Sequence, residues 1–234
     1  MPARGSHIRG GPGRAPDGYR ALMSAAPVSA EDVDLAVDLA VYLLKSAEPD
    51  AWSYRAGRLK WTCWETVEHI ADDLFAFAVQ MGPRHPPING VVPFVCEARR
   101  GGGPASSVFA ERESGPEGLL QVLEASAALL SAMVRTVSPE VRAYHPMGLA
   151  DREGFAAMGV VEILVHTHDL AEGLGLEWNP PADLCERVLA RLFPDAPTEA
   201  KPWPALLWST GRTALPGRAR LTEWRWHAAP EDER

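Results

Sequence analysis

From Ser29 onward, apolar residues fall every three or four positions. Val33, Ala36, Val37, Ala40, Val41 and Leu44 share one face of a predicted helix that Pro49 closes. Ser29 suits its N-cap, and Glu31 and Asp32 crowd the first turn, where the helix dipole favours acids. The stretch "WTCWETVEHIADDLFAFAVQM" predicts a second helix. Thr62 followed by Glu65 forms a capping box there, and Gly82 with Pro83 ends the pattern. "GPEGLLQVLEASAALLSAMVRTV" predicts a third helix. "DREGFAAMGVVEILVHTHDLAEGLG" predicts a fourth, started by Asp151 or a neighbour and ended by Gly173 or Gly175. "ADLCERVLARLF" reads as a shorter helix, and "PWPALLWSTGR" as one or two further turns. "RLTEWRW" alternates weakly, as a strand does, while "GVVPFV" reads as at best an edge strand because of its proline.

Residues 82–115 carry "PRHPP" and "RRGGGP" and read as one long loop; connections of that length often line functional sites. Four long helices, one long crossover and short helical additions define an all-α antiparallel four-helix bundle. The expected division is a disordered tail over 1–27, the bundle over 28–178 and a short C-terminal extension over 179–234 that packs on it. The tail is rich in Gly, Pro and Arg without periodicity. Met23, just ahead of the first periodic stretch, is an alternative start to Met1.

The fourth helix breaks its own pattern. "VVEILVHTHDL" is oily, yet it holds Glu162, His166, His168 and Asp169. With Phe155 set to zero on a helical wheel, Glu162 falls at about 340°, His166 at about 20° and Asp169 at about 320°. These three share a narrow stripe, while His168 points elsewhere, at about 220°. Glu and His four residues apart stack on adjacent turns and can grip one ion. An ionised carboxylate buried alone costs on the order of several kcal/mol, so a positive partner must face the stripe. A divalent metal is one candidate and a cationic side chain another. Glu-x-x-x-His also arises by chance as an intrahelical pair. A third ligand would come from another element. His69 is the one other histidine inside a predicted long helix, but it lies on the flank of Glu65, Asp72 and Asp73, and periodicity alone makes it a surface residue.

Charge narrows the partners. The chain of 234 residues has a net charge of -8, and Arg4, Arg9, Arg14 and Arg20 near the start face only Asp17, so the remainder is more acidic still. An acidic body does not suit a phosphate backbone, so no nucleic-acid partner is expected. The three cysteines, Cys63, Cys96 and Cys185, are far apart, which fits a reducing cytoplasm and gives no disulfide framework. No uninterrupted apolar run has the length of a bilayer span, and the N-terminus lacks the apolar core of a secretory signal. A cytoplasmic protein without a membrane partner, monomeric or homodimeric, is the expectation.

Three stretches carry a resemblance. "WTCWETVEHIADDL" looks like the Trp-[Ser/Thr]-x-x-x-x-x-x-His signature of the DinB-like superfamily, and more specifically of its mycothiol-dependent maleylpyruvate isomerase-like branch. "GVVEILVHTHDLAEGLG" resembles that branch's Glu-x-x-x-His-x-x-Asp-Leu-Ala segment, and "LLWSTGRTALPG" its Leu-Leu-Trp-x-x-Gly-Arg stretch. The resemblance implies a DinB-like four-helix bundle. It also implies a divalent metal, most often zinc, held by His69, Glu162 and His166. Asp169, and secondarily His168, then read as partners behind the ligands. Arg212 becomes the candidate for binding an anionic substrate, and Trp61 for walling the pocket. The implied activity is that of a transferase or isomerase that activates mycothiol or a similar small thiol against a small electrophile. None of the three cysteines is placed to be that nucleophile. The segment beyond His166 is short for that branch's C-terminal domain. Two other classes remain: a non-catalytic metal-binding sensor or interaction protein, and a hydrolase using zinc-bound water, for which Asp169 is the available base.

Overall fold

Capping groups set where the helices begin. The computed structural model describes residues 26–234; the expected tail falls almost wholly outside them. Among the described residues there are six α-helices: α1 (Ala30–Leu44), α2 (Cys63–Met81), α3 (Gly115–Thr136), α4 (Arg152–Leu174), α5 (Ala182–Leu192) and α6 (Pro202–Ser209). The capping box of α2 closes as expected: Glu65 N–H donates to Thr62 Oγ1 at 3.2 Å, and Thr62 N–H donates to Glu65 Oε2 at 2.8 Å. Asp151 accepts from Gly154 N–H at 2.8 Å to start α4, and Gly175, at φ 71°, ends it in the left-handed conformation.

The fold is an all-α four-helix bundle. Helices α1 and α2 each pack against both α3 and α4, and α5 covers a further side of α4. Residues Gly154 to Thr167 of α4 are consequently all buried, so this helix has no solvent face along its middle. By length and composition alone, Arg112–Thr136 could cross a bilayer, which a search for uninterrupted apolar runs overlooks. Here Leu119, Leu123, Ala127 and Leu130 of that helix are instead fully buried in the protein core.

Two expectations about strands are corrected. Residues 91–96 form no strand; the short pair that does form is β1 (Glu97–Ala98) with β2 (Ala105–Ser106), antiparallel. "RLTEWRW" forms none either. The carbonyls just beyond it are satisfied by a side chain rather than by a neighbouring strand. Buried Arg191 of α5 donates to His227 O at 3.2 Å, Ala228 O at 2.9 Å and Ala229 O at 3.1 Å, and also to the α4 cap Asp151 at 2.8 Å. The weak alternation comes from Trp224 and Trp226, which pack on each other and on Phe193.

The long loop is held by polar residues of α2. Asp72 accepts backbone N–H groups of Ser107 and Val108 at 2.7 and 2.8 Å. Glu68 accepts from Ala110 N–H at 3.2 Å and from Trp64 Nε1 at 2.9 Å. Gln80 accepts from Val92 N–H at 2.9 Å and donates to Gly90 O at 3.1 Å. The polar flank of α2 is therefore covered by chain, not bathed in solvent, and that changes the surroundings of His69.

Two glycines of α4 mark close approaches of different kinds. A Cβ at Gly173 would lie 2.4 Å from Arg55 O and 2.8 Å from Cys63 Sγ, whereas one at Gly159 would meet only the side-chain ends of Leu130 and Leu74. Backbone cannot step aside as a leucine tip can. Gly173→Ala should therefore cost about 1–3 kcal/mol through overpacking. Gly159→Ala should come close to neutral, because a gain in helix propensity of about 1 kcal/mol offsets the crowding. Urea denaturation of both variants checks the contrast; equal stabilities would contradict it.

Candidate metal centre

Three side chains converge where α2 faces α4. One ligand atom each from His69, Glu162 and His166 lies within 4.8 Å of the other two. His166 Nε2 is 3.1 Å from Glu162 Oε2, and His69 Nε2 is 3.9 Å from the same oxygen. The two imidazoles stand edge to face, 4.9 Å between centroids, and Trp61 packs edge-on against His69 at 4.6 Å. Periodicity makes His69 a surface residue; the structure instead leaves its side chain only 19% exposed. The cause is Trp61 and the α4 side chains packed against His69, neither of which a helical wheel of α2 can show.

The α4 stripe is compensated in two ways. Asp169 meets a cationic side chain: Arg212 Nη2 donates to Asp169 Oδ2 at 2.7 Å, and its Nε reaches both carboxylate oxygens at 3.2 Å. Asp169 Oδ2 in turn lies 3.0 Å from His166 Nδ1. A histidine held at Nδ1 by a carboxylate presents Nε2 outward in a fixed orientation, the arrangement usual behind metal-ligating imidazoles. Glu162, by contrast, pairs directly only with the two histidines among the described residues.

Protonation follows from these contacts. Burial, with the nearby His166 second, pushes His69 down to about 4, so its imidazole is neutral at pH 7. Burial acts to lower His166 as well, but its hydrogen bonds to Asp169 and Glu162 outweigh that and raise it. Burial likewise opposes ionisation of Glu162 and Asp169; His166, and Arg212 for Asp169, hold both below their usual range nonetheless. Among the described residues, Arg212 and His166 both favour the ionised form of the two carboxylates in this stripe.

The remaining candidates divide. Arg212 is not free to take an anion: besides Asp169, its Nη1 donates to Thr210 O at 3.2 Å and its Nη2 lies 3.4 Å from His166 Nδ1. It acts as a clamp on Asp169. His168 faces Glu172 at 3.7 Å and Trp203, away from the three converging atoms. Trp61 packs on His69 and lies 6.2 Å from His166 between ring centroids, whereas Trp64 is buried and donates to Glu68. A cavity of about 350 Å³ opens beside Glu162 and His166, with Arg58, Thr210, Arg220 and Trp224 among its walls. Sequence reading passes over those four, since no local pattern brings residues 58, 210, 220 and 224 to α4. It also passes over Asp73, whose Oδ2 lies 3.5 Å from His69 Nε2. Burial first, then the charges of Glu162 and Asp72, hold Asp73 well above the usual carboxylate range. Its spacing, one turn beyond His69 on the same flank, was the available signal.

Removing Arg212 would strand a charge. Arg212 and Asp169 side chains are 13% and 6% exposed. Arg212→Ala should lower stability by about 3–5 kcal/mol, the usual loss when one partner of a buried pair is removed. Adding Asp169→Asn should restore part of it. The Arg212→Ala deficit should also shrink as pH falls: Asp169 has a depressed pKa, so its pairing contributes above the unfolded value and is lost on acidification through the folded one. Denaturation at pH 7 and at acid pH measures both effects.

No protein-family model matches the chain, and no curated protein matches it in sequence. Two solved structures resemble it in chain path, both of mycothiol-dependent maleylpyruvate isomerase, one a histidine-to-alanine variant. Their sequence identities are 14% and 15%, and each has a TM-score of 0.47 over 68% of this chain. The aligned part spans 65% of the length of each isomerase chain.

Proposed function

We propose that His69, Glu162 and His166 hold one divalent metal ion, zinc being the best match, and that the protein uses it as a thiol-dependent transferase or isomerase. The observation that carries the reading is the convergence of two imidazole nitrogens and a carboxylate oxygen within 4.8 Å, at a buried glutamate with which no lysine or arginine among the described residues pairs directly. The donor set fits. Two neutral imidazoles and one carboxylate are the ligands of catalytic zinc sites, which keep a position open. His69 is already neutral at pH 7, as ligation requires.

When bound, such an ion supplies Lewis acidity that makes a coordinated thiol ionise near neutral pH. The protein's own groups do the rest. Asp169 fixes the ring of His166, and Arg212 fixes Asp169. Trp61 shields the histidines from water on one side. The cavity beside Glu162 gives access for a small co-substrate. An external thiol fits, because burial pushes Cys63 up to about 11 and Cys185 up to about 12, and the exposed Cys96 does not line the cavity beside Glu162. Mycothiol or a similar small thiol is the proposed co-substrate, on the strength of the motif resemblance around His69 and Glu162. Asp169 does not suit the role of hydrolytic base, since Arg212 and His166 occupy its oxygens.

The test is metal content by mass spectrometry, followed by a thiol screen. The native protein should carry about one ion per chain, as the three-ligand site requires, and His69→Ala and His166→Ala should each lose it. Small electrophiles should then be consumed only when thiol is added. A native protein that takes up no ion after reconstitution would end the enzyme reading. Consumption without thiol would favour hydrolysis, and metal binding without turnover would favour a sensor.

A further inference from the structure

Asp73 has a position that its neighbour Asp72 does not share. Asp72 turns to the loop and accepts two backbone N–H groups. Asp73 turns to His69, with 3.5 Å between Oδ2 and Nε2, and no described residue donates a hydrogen bond to it. The nitrogen that faces Asp73 is the one that faces Glu162 Oε2 at 3.9 Å. Asp73 is therefore not behind His69 as Asp169 is behind His166. Asp169 sits on the far nitrogen of its histidine, Nδ1, whereas Asp73 sits on the near one. A carboxylate on the near nitrogen stands on the side of His69 where an ion would bind; Asp73 lies outside the 4.8 Å cluster of His69, Glu162 and His166 and would reach that ion by a small swing of its side chain.

The two helices thus present matched pairs, His69 with Asp73 on α2 and Glu162 with His166 on α4, each four residues apart. Residues at that spacing stack on adjacent turns. Two carboxylates on one patch of a buried interface repel unless a proton or a cation lies between them.

We infer that Asp73 supplies a fourth donor oxygen to the ion proposed for the triad, giving two imidazoles and two carboxylates. This rests on the metal reading above and changes its consequences. Two carboxylates cancel the charge of a divalent ion, where one leaves it net positive. Four protein donors also fill a tetrahedral shell, so an open position requires an ion that accepts five or six ligands.

Cobalt(II) is the probe, because its visible bands report ligand number and type. It would be titrated into the apo forms of the native protein, Asp73→Asn, Asp73→Glu and, as a control, Asp72→Asn, with circular dichroism verifying the fold of each. Asp73→Asn should weaken binding by roughly 10–100-fold, the range seen when carboxylates that serve a metal site are removed. It should also shift the visible bands, and X-ray absorption should show one oxygen fewer. Asp73→Glu, which keeps the carboxylate, should recover most of the affinity. Native affinity and an unchanged spectrum in Asp73→Asn would overturn the fourth ligand and leave the triad standing. Weaker binding with an unchanged cobalt spectrum would overturn it too, because a residue that merely positions His69 leaves the ligand set intact. Failure of the native protein to bind cobalt would overturn this inference together with the metal reading.

Discussion

A helix buried on every side cannot carry unpaired charge. The middle of α4 is such a helix, and Glu162, His166 and Asp169 are at most 7% exposed within it. An uncompensated carboxylate there would cost several kcal/mol, on the order of the effective desolvation penalty for one ion. The surroundings are organised around that constraint. Arg212 answers Asp169, Asp169 orients His166, and His166 and His69 converge on Glu162. Arg212 acts on Glu162 from a distance, and closer positive charge can reach it as a proton on His166 or, in the proposed reading, as a bound ion. Ligation would displace that proton, so under the proposal protonation and occupancy are tied.

The rest of the fold serves the same patch by placing chain over it. Glu68, Asp72 and Gln80 pin the loop after α2 along that helix, which takes the flank of His69 out of bulk water. Arg191 ties residues 227–229 to the cap of α4. Gly211, at φ 69°, lets the turn after α6 run close to Trp224 and bring Arg212 to Asp169. These are polar contacts made by single side chains to backbone, between segments far apart in sequence.

That distinction explains what could be read from the sequence. The helices were legible because period and caps are local: Ser29, Thr62 with Glu65, Asp151 and Gly175 stand where the helices start and stop. The stripe of Glu162, His166 and Asp169 was legible because a wheel orders residues on one helix. His69 became a candidate only through motif resemblance, since its burial comes from Trp61 and from the packing of α2 on α4. Arg212 was singled out, yet as a substrate anchor rather than as the clamp on Asp169, because its partner lies 43 positions away. Asp73 went unread for a simpler reason. Beside Asp72 and Glu65 it looked like one acid among several on a polar face, and only the packing of α2 on α4 separates the acid that holds the loop from the acid that meets His69. "RLTEWRW" misled because two tryptophans in a clasped irregular segment alternate as strand residues do.

The most direct measurement is diffraction from crystals of the purified, zinc-reconstituted protein on either side of the zinc absorption edge. The account predicts one anomalous peak between α2 and α4, at about 2.0–2.2 Å from a nitrogen of His69, a nitrogen of His166 and an oxygen of Glu162. A peak elsewhere, or none, with His166 paired to Glu162 through a proton alone, would contradict it and leave the stripe as a structural network.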